Sequence, residues 1–137
     1  MRPPQRQSVL IVDDVTKNLQ VLGNVLKQED LRIALATNGK QALKAVARSK
    51  PDLILLDVMM PEMDGYETCR QLKADEDTRD IPIIFLTAKT ETADVVKAFE
   101  LGAVDYVTKP FNHSELLSRV RTQLRVKASR DLMRQVN

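Results

Sequence analysis

The chain of 137 residues is long enough for one domain with a real core and too short for two. Apolar residues make up 43% and charged residues 29%, an ordinary globular mix, and no apolar run approaches a membrane span. The single Cys69 excludes an internal disulfide, which fits a reducing cytoplasm and leaves Cys69 as a small packing residue in a helix.

The net charge of +2 is unevenly spread: residues 1–7 carry +2, 115–137 carry +4, and 8–114 carry −4. An acidic body with basic ends is not the footprint of a nucleic-acid-binding core, so neither direct nucleic-acid binding nor a membrane partner is expected. Residues 1–7 are proline-rich and polar and lack the apolar region of a signal peptide. They read as a disordered segment.

In chain order, Ser8, Val9, Leu10, Ile11 and Val12 form a short strand that ends in Asp13 and Asp14. Leu19, Leu22, Val25 and Leu26 recur at helical spacing within 15–28. Residues 31–36 read as a weaker strand. Asn38 then caps a helix with Ala42, Leu43, Ala45 and Val46 on its apolar face. That helix ends near Lys50, because Pro51 disfavours helical geometry in the residue before it.

Leu53, Ile54, Leu55 and Leu56 are consecutive aliphatics, the mark of a strand buried on both faces, and the run stops at Asp57. Residues 60–65 read as a loop, 66–74 as a helix and 75–80 as a charged surface connection. A strand over 81–86 ends at Thr87, with Pro82 tolerable near its start. A helix over 91–101 is closed by Gly102, and residues 103–107 form the last strand before Thr108, Lys109 and Pro110. Asn112 caps the final helix, with Glu115 placed to complete a capping box.

Strict alternation of five strands and five helices predicts an α/β domain: a parallel sheet with helices on both faces and right-handed crossovers. In such a sheet every strand's C-terminal end lies on one edge, where ligands bind. That edge collects Asp13 and Asp14, Asp57, Thr87 and Lys109. Three neighbouring carboxylates repel and need a cation. Oxygen ligands without a His or Cys cluster favour Mg²⁺, and Lys109 and Thr87 add an ammonium and a hydroxyl. Together these groups describe a receptor for a phosphoryl group, with an Asp able to act as nucleophile. Taken singly, each has an ordinary reading: a helix N-terminus for Asp13 and Asp14, a strand end for Thr87, a turn for Lys109 and Pro110. Joint placement at four strand ends favours the site.

The segments Leu10-Ile11-Val12-Asp13-Asp14, Leu55-Leu56-Asp57-Val58-Met59-Met60-Pro61-Glu62-Met63-Asp64-Gly65, Phe85-Leu86-Thr87-Ala88 and Asp105-Tyr106-Val107-Thr108-Lys109-Pro110-Phe111 occur in order at suitable intervals. With them, residues 8–125 resemble the receiver domain of two-component response regulators, of the chemotaxis-regulator type. The resemblance implies a flavodoxin-like, doubly wound, five-stranded parallel sheet in the order 2-1-3-4-5. It makes Asp57 the phosphoacceptor from a sensor histidine kinase or phosphotransfer protein. Asp13, Asp14, Asp57 and the Met59 carbonyl would bind Mg²⁺, Asp13 mainly through water. Thr87 and Lys109 would contact phosphoryl oxygens, and Lys109–Pro110 would be cis. Thr87 and Tyr106 would form a switch that reshapes the face of the fourth helix, fifth strand and fifth helix toward an output partner or domain. Met59 and Lys89 are variable positions flanking the site. Because Met59 is apolar and cannot position an attacking water, slow to moderate loss of the phosphoryl group is expected.

Helix-compatible sequence continues to Asn137 without Gly or Pro, so residues 126–137 read as a helical extension or linker to an output domain. Leu116, Val120, Leu124, Ala128, Leu132 and Val136 form one row, and Val126, Ser129, Met133 and Val136 a short heptad-like one. A signalling helix and a frayed basic tail remain open alternatives, as does a homodimer through this helix or the face that carries Tyr106. The leading reading is a phosphorylation-controlled binding module that catalyses its own phosphotransfer and dephosphorylation, not a turnover enzyme. The alternatives are a phosphorylation-independent interaction module and a metal-dependent phosphatase with an Asp nucleophile. The phosphatase reading is disfavoured because acids after the first strand are adjacent here, whereas that class spaces them two residues apart.

Overall fold

The computed structural model describes residues 6–88 and 92–136 and, of Val136, the backbone alone. Residues 1–5, Lys89, the expected helix start at Glu91, and Asn137 lie outside the described residues. Strands and helices alternate as β1 (Gln7–Val12), α1 (Thr16–Leu26), β2 (Leu31–Ala36), α2 (Gly39–Arg48), β3 (Leu53–Leu56), α3 (Gly65–Ala74), β4 (Ile83–Thr87), α4 (Thr92–Glu100), β5 (Asp105–Thr108) and α5 (His113–Val136). All neighbouring strands are parallel, and their order is β2-β1-β3-β4-β5, as expected.

β3 occupies the centre, and its four residues are fully buried. Strand alternation sends Leu53 and Leu55 to one face and Ile54 and Leu56 to the other. The first pair packs with Leu19 and Leu22 of α1 and Leu116 and Val120 of α5. The second packs with Val46 of α2, Leu72 and Cys69 of α3 and Ala98 of α4. Cys69 is therefore the packing residue expected, and burial pushes its thiol up to about 11.

Several boundaries differ from the sequence reading, each for a local reason. β1 begins at Gln7, not Ser8, because Gln7 pairs with Leu31 and its side-chain amide donates to the Leu124 carbonyl at 3.0 Å. β4 begins at Ile83, not Ile81: Pro82 has no N–H for the ladder, although its carbonyl accepts from Ile54 at 3.0 Å. β5 begins at Asp105, not Ala103, because the Ala103 N–H donates to the Ala98 carbonyl and closes α4. Gly102, at φ 103°, makes that reversal without a Cβ penalty. α3 starts at Gly65, where the Asp64 side chain accepts from the Glu67 N–H at 2.9 Å.

α5 continues unbroken to Val136, but its burial stops at Leu124; Val126, Leu132 and Met133 are exposed. Charge holds the extension against the domain. Lys127 pairs with Asp131 at 2.5 Å and with Asp52, just before β3, at 3.5 Å, while Arg134 pairs with Asp80 at 2.9 Å. Asn112 caps this helix by accepting from the Glu115 N–H at 3.1 Å, and the Glu115 carboxylate pairs with Arg119. Among the described residues, no helix is long and apolar enough to cross a membrane.

α3 meets the end of β3 with no space to spare. A Cβ on Gly65 would stand 2.2 Å from the Asp57 carbonyl oxygen and 2.8 Å from Val58 Cα, both backbone atoms. Gly65→Ala should therefore lower unfolding free energy by about 2 kcal/mol, the scale of overpacking. Gly23→Ala in α1, where a Cβ would meet nothing within 4 Å beyond its chain neighbours and the helix's own backbone, should hold or raise stability. Urea titrations of both variants check the contrast.

Candidate functional site

β1 and β3 are neighbours, so their C-terminal ends deliver carboxylates side by side. The Asp13 N–H donates to the Ala36 carbonyl at 3.1 Å and the Asp57 N–H to the Val12 carbonyl at 3.0 Å, which extends the ladder into the site. Both side chains are buried, whereas Asp14, one residue on, is exposed. Ligand oxygens of Asp13, Asp14 and Asp57 lie within 4.8 Å of one another. The three carboxylates expected to hold a metal are thus together, and an all-oxygen set of this kind suits a hard divalent cation.

Lys109 arrives from the far side of β4. Its backbone N–H donates to the Thr87 carbonyl at 2.9 Å, which anchors the residue beyond the end of β5. Its Nζ reaches Asp13 Oδ2 at 2.9 Å and Asp57 Oδ2 at 3.3 Å. The Lys109–Pro110 peptide is cis, as expected. Thr87 ends β4 and is fully buried beside β3. Tyr106, half-buried in β5, is in register with Phe85 and packs against the core cluster beneath α4.

Electrostatics at the site are unbalanced. Burial raises the Asp57 carboxyl, Lys109 opposes this, and the Asp13 charge raises it again; the net direction is upward. For Lys109, burial lowers the ammonium, but hydrogen bonds and charge from Asp13 and Asp57 outweigh it and hold it above its ordinary value. The two ends of one contact therefore benefit unequally. Asp57 is the deeper group, and a single shared ammonium does not offset its burial.

Two residues not singled out from the sequence complete the site. Asn18 on α1 donates from Nδ2 to Asp13 Oδ2 at 3.2 Å, while the Val15 N–H donates to Asp13 Oδ1 at 2.9 Å. Nothing in the spacing of Asn18 marks it; only the turn into α1 brings it back over the strand end. Gly65 is the other, hidden as one glycine of a loop signal. Met59 is exposed, and its N–H donates to Asp57 Oδ1 at 3.3 Å. Farther out, Tyr66 stands edge-on to Phe85, with its hydroxyl 3.4 Å from Asp94 Oδ1 and Lys97 Nζ 4.4 Å from its ring centroid. Burial first, then Asp94, pushes the Tyr66 phenol up to about 12.

Comparison with known proteins agrees with this geometry. The model of the response regulator receiver domain matches residues 9–121. The DNA-binding response regulator MtrA of Mycolicibacterium smegmatis is 49% identical over 120 residues, covering 88% of this chain and 51% of MtrA. The response regulator PleD of Caulobacter vibrioides is 43% identical over 127 residues, covering 93% of this chain and 28% of PleD. The chain thus spans about half of MtrA and under a third of PleD. Among solved structures, the signal receiver domain of a signal transduction histidine kinase from Syntrophus aciditrophicus superposes with a TM-score of 0.80 at 40% identity, covering 86% of this chain and 89% of that one. By family match, identity and fold together, the chain belongs to the response regulator receiver domain family.

Proposed function

We propose that Asp57 accepts a phosphoryl group from a phosphohistidine of a sensor kinase or phosphotransfer protein. The observation that carries this reading is the Lys109 ammonium bridging Asp13 and Asp57 at the C-terminal sheet edge. An Asp57 carboxylate oxygen attacks phosphorus, the phosphorus–nitrogen bond of the donor breaks, and the imidazole leaves with the electron pair and takes a proton. The product is an acyl phosphate, which water later cleaves to Asp57 and inorganic phosphate. Asp13, Asp14, Asp57 and the Met59 carbonyl would hold Mg²⁺, which neutralises charge on the phosphoryl oxygens when bound. Lys109 would turn from its carboxylate partners to one of those oxygens, and the Thr87 hydroxyl to another.

Phosphorylation adds charge beside two buried groups and can bias a bistable element. Thr87 and Tyr106 form that element in our reading. The surface it reshapes is the α4-β5-α5 face, toward a partner or an output domain. Residues 8–125 would then act as the switching unit and 126–137 as the helical lead to an effector. The chain works as a cytoplasmic binding module with self-catalysed phosphotransfer and dephosphorylation, not as a turnover enzyme.

Four outcomes test this. Acetyl phosphate or beryllofluoride with Mg²⁺ should load the wild type with one adduct by mass spectrometry and leave Asp57→Asn unloaded; equal loading of both overturns the assignment. A phosphoaspartate lifetime well beyond seconds is expected, since Met59 cannot orient water, and quench-flow or phosphate release measures it. The third outcome concerns stability in metal-free buffer. A buried acid with a raised pKa is a liability above that pKa and none below the ordinary carboxylate range. Asp57→Asn should therefore melt higher than the wild type at neutral pH and lose that gain at acid pH. Mg²⁺ should raise the melting temperature of the wild type more than that of Asp57→Asn.

A further inference from the structure

Residues 31–50 contain Arg32, Lys40, Lys44, Arg48 and Lys50 and no acid, although the body around them is acidic. This segment folds into β2 and α2. Arg32, Lys40, Lys44 and Arg48 are exposed. Among the described residues none of the four makes an ion pair, whereas Arg70, Arg79, Arg119, Arg121 and Arg134 each pair with an acid. The fold thus gathers four uncompensated cations on one face.

The same face carries an open strand edge. β2 ends the sheet, at the opposite side from β5. The Ala36 carbonyl accepts from the Asp13 N–H, so strand alternation turns the N–H and C=O groups of Ile33 and Leu35 away from β1. Beside this edge a hollow of about 370 Å³ opens between β2 and α2, lined by Leu10, Ala34, Ala45 and Pro51, with Arg32 and Arg48 among its walls. It exists because Ala34 and Ala45 are small where the sheet meets the helix. A second hollow of about 580 Å³ shares Leu35, Ala45 and Arg48 with the first and adds Lys40 and Lys44, and Glu62 is its one acid.

We propose that this edge receives an extended acidic segment of a partner protein, added as a strand beside β2. Its main chain would pair with Ile33 and Leu35. Alternate side chains would then set carboxylates against Arg32, Lys44 and Arg48 and an aliphatic group into the hollow over Ala34. Main-chain pairing supplies affinity in this mode, and the pockets for alternate side chains supply selectivity. A second copy is a poor occupant, because pairing two β2 edges would bring two cationic faces together. A nucleic acid would use the cations but neither the hollow nor the strand edge.

The test uses the full chain and a fluorescein-labelled peptide repeating Glu-Thr-Val-Thr, which places Glu and Val on one side of a strand. Binding is read by anisotropy, and the contact by amide chemical shifts and hydrogen exchange. The wild type should bind, with the Ile33 and Leu35 amides gaining protection. Affinity should fall about tenfold in Lys44→Glu/Arg48→Glu and in Ala34→Leu, which fills the hollow without changing charge. The neutral pair Lys44→Gln/Arg48→Gln should fall between, and circular dichroism reports that each variant is folded. No binding by the wild type, or indifference to Ala34→Leu, overturns the proposal. It is equally overturned if a DNA duplex binds as tightly with the same dependence on Lys44 and Arg48, or if sedimentation shows a dimer that charge reversal abolishes.

Discussion

One ammonium between two buried carboxylates organises the active edge of this domain. Asp13 and Asp57 enter from adjacent strands, and burying two like charges side by side is tolerable only because Lys109 Nζ reaches both, at 2.9 and 3.3 Å. The compensation is incomplete, as the upward shift of the Asp57 carboxyl records. With Asp14 close by, three carboxylates face one ammonium, a charge balance that suits a further cation.

The scaffold serves this contact by being stiff where the charges sit. β3 is buried on both faces, so Asp57 emerges from the most constrained strand of the sheet. Gly65 then brings the start of α3 against the Asp57 backbone, in contact closer than any side chain permits. From there Tyr66 leads outward to Phe85 of β4 and to Asp94 and Lys97 of α4. A movement at Asp57 has a packed path to α4, through aromatic and polar contacts and not through a loop.

Charge is also sorted at larger scale. Acids gather at the C-terminal sheet edge and in the connection after α3, while the β2–α2 segment is purely cationic. In the α5 extension Lys127 is paired with Asp52 and Asp131 and Arg134 with Asp80, so much of the positive charge there is held by acids. Along β2 and α2, by contrast, Arg32, Lys40, Lys44 and Arg48 make no ion pair among the described residues. Counting charge over long windows, as in the acidic body of 8–114, averaged this segment away.

Much of the fold was legible in the residues themselves. The aliphatic run at Leu53–Leu56 demanded a strand covered on both faces, and strict alternation of elements demanded a parallel sheet, so convergence of Asp13, Asp14, Asp57, Thr87 and Lys109 on one edge followed from topology. Strand order, the cis bond before Pro110 and the roles of site residues came from resemblance, because spacing alone does not choose among sheet orders. Boundaries at Gln7, Ile83 and Asp105 were decided by which backbone N–H groups found partners, a matter of neighbours distant in sequence. Asn18 had no local signature, and Gly65 stood in the sequence only as the last residue of a loop and of a matching segment. Their importance arises only when α1 folds back over Asp13 and α3 closes on the Asp57 backbone, contacts that periodicity and propensity do not encode.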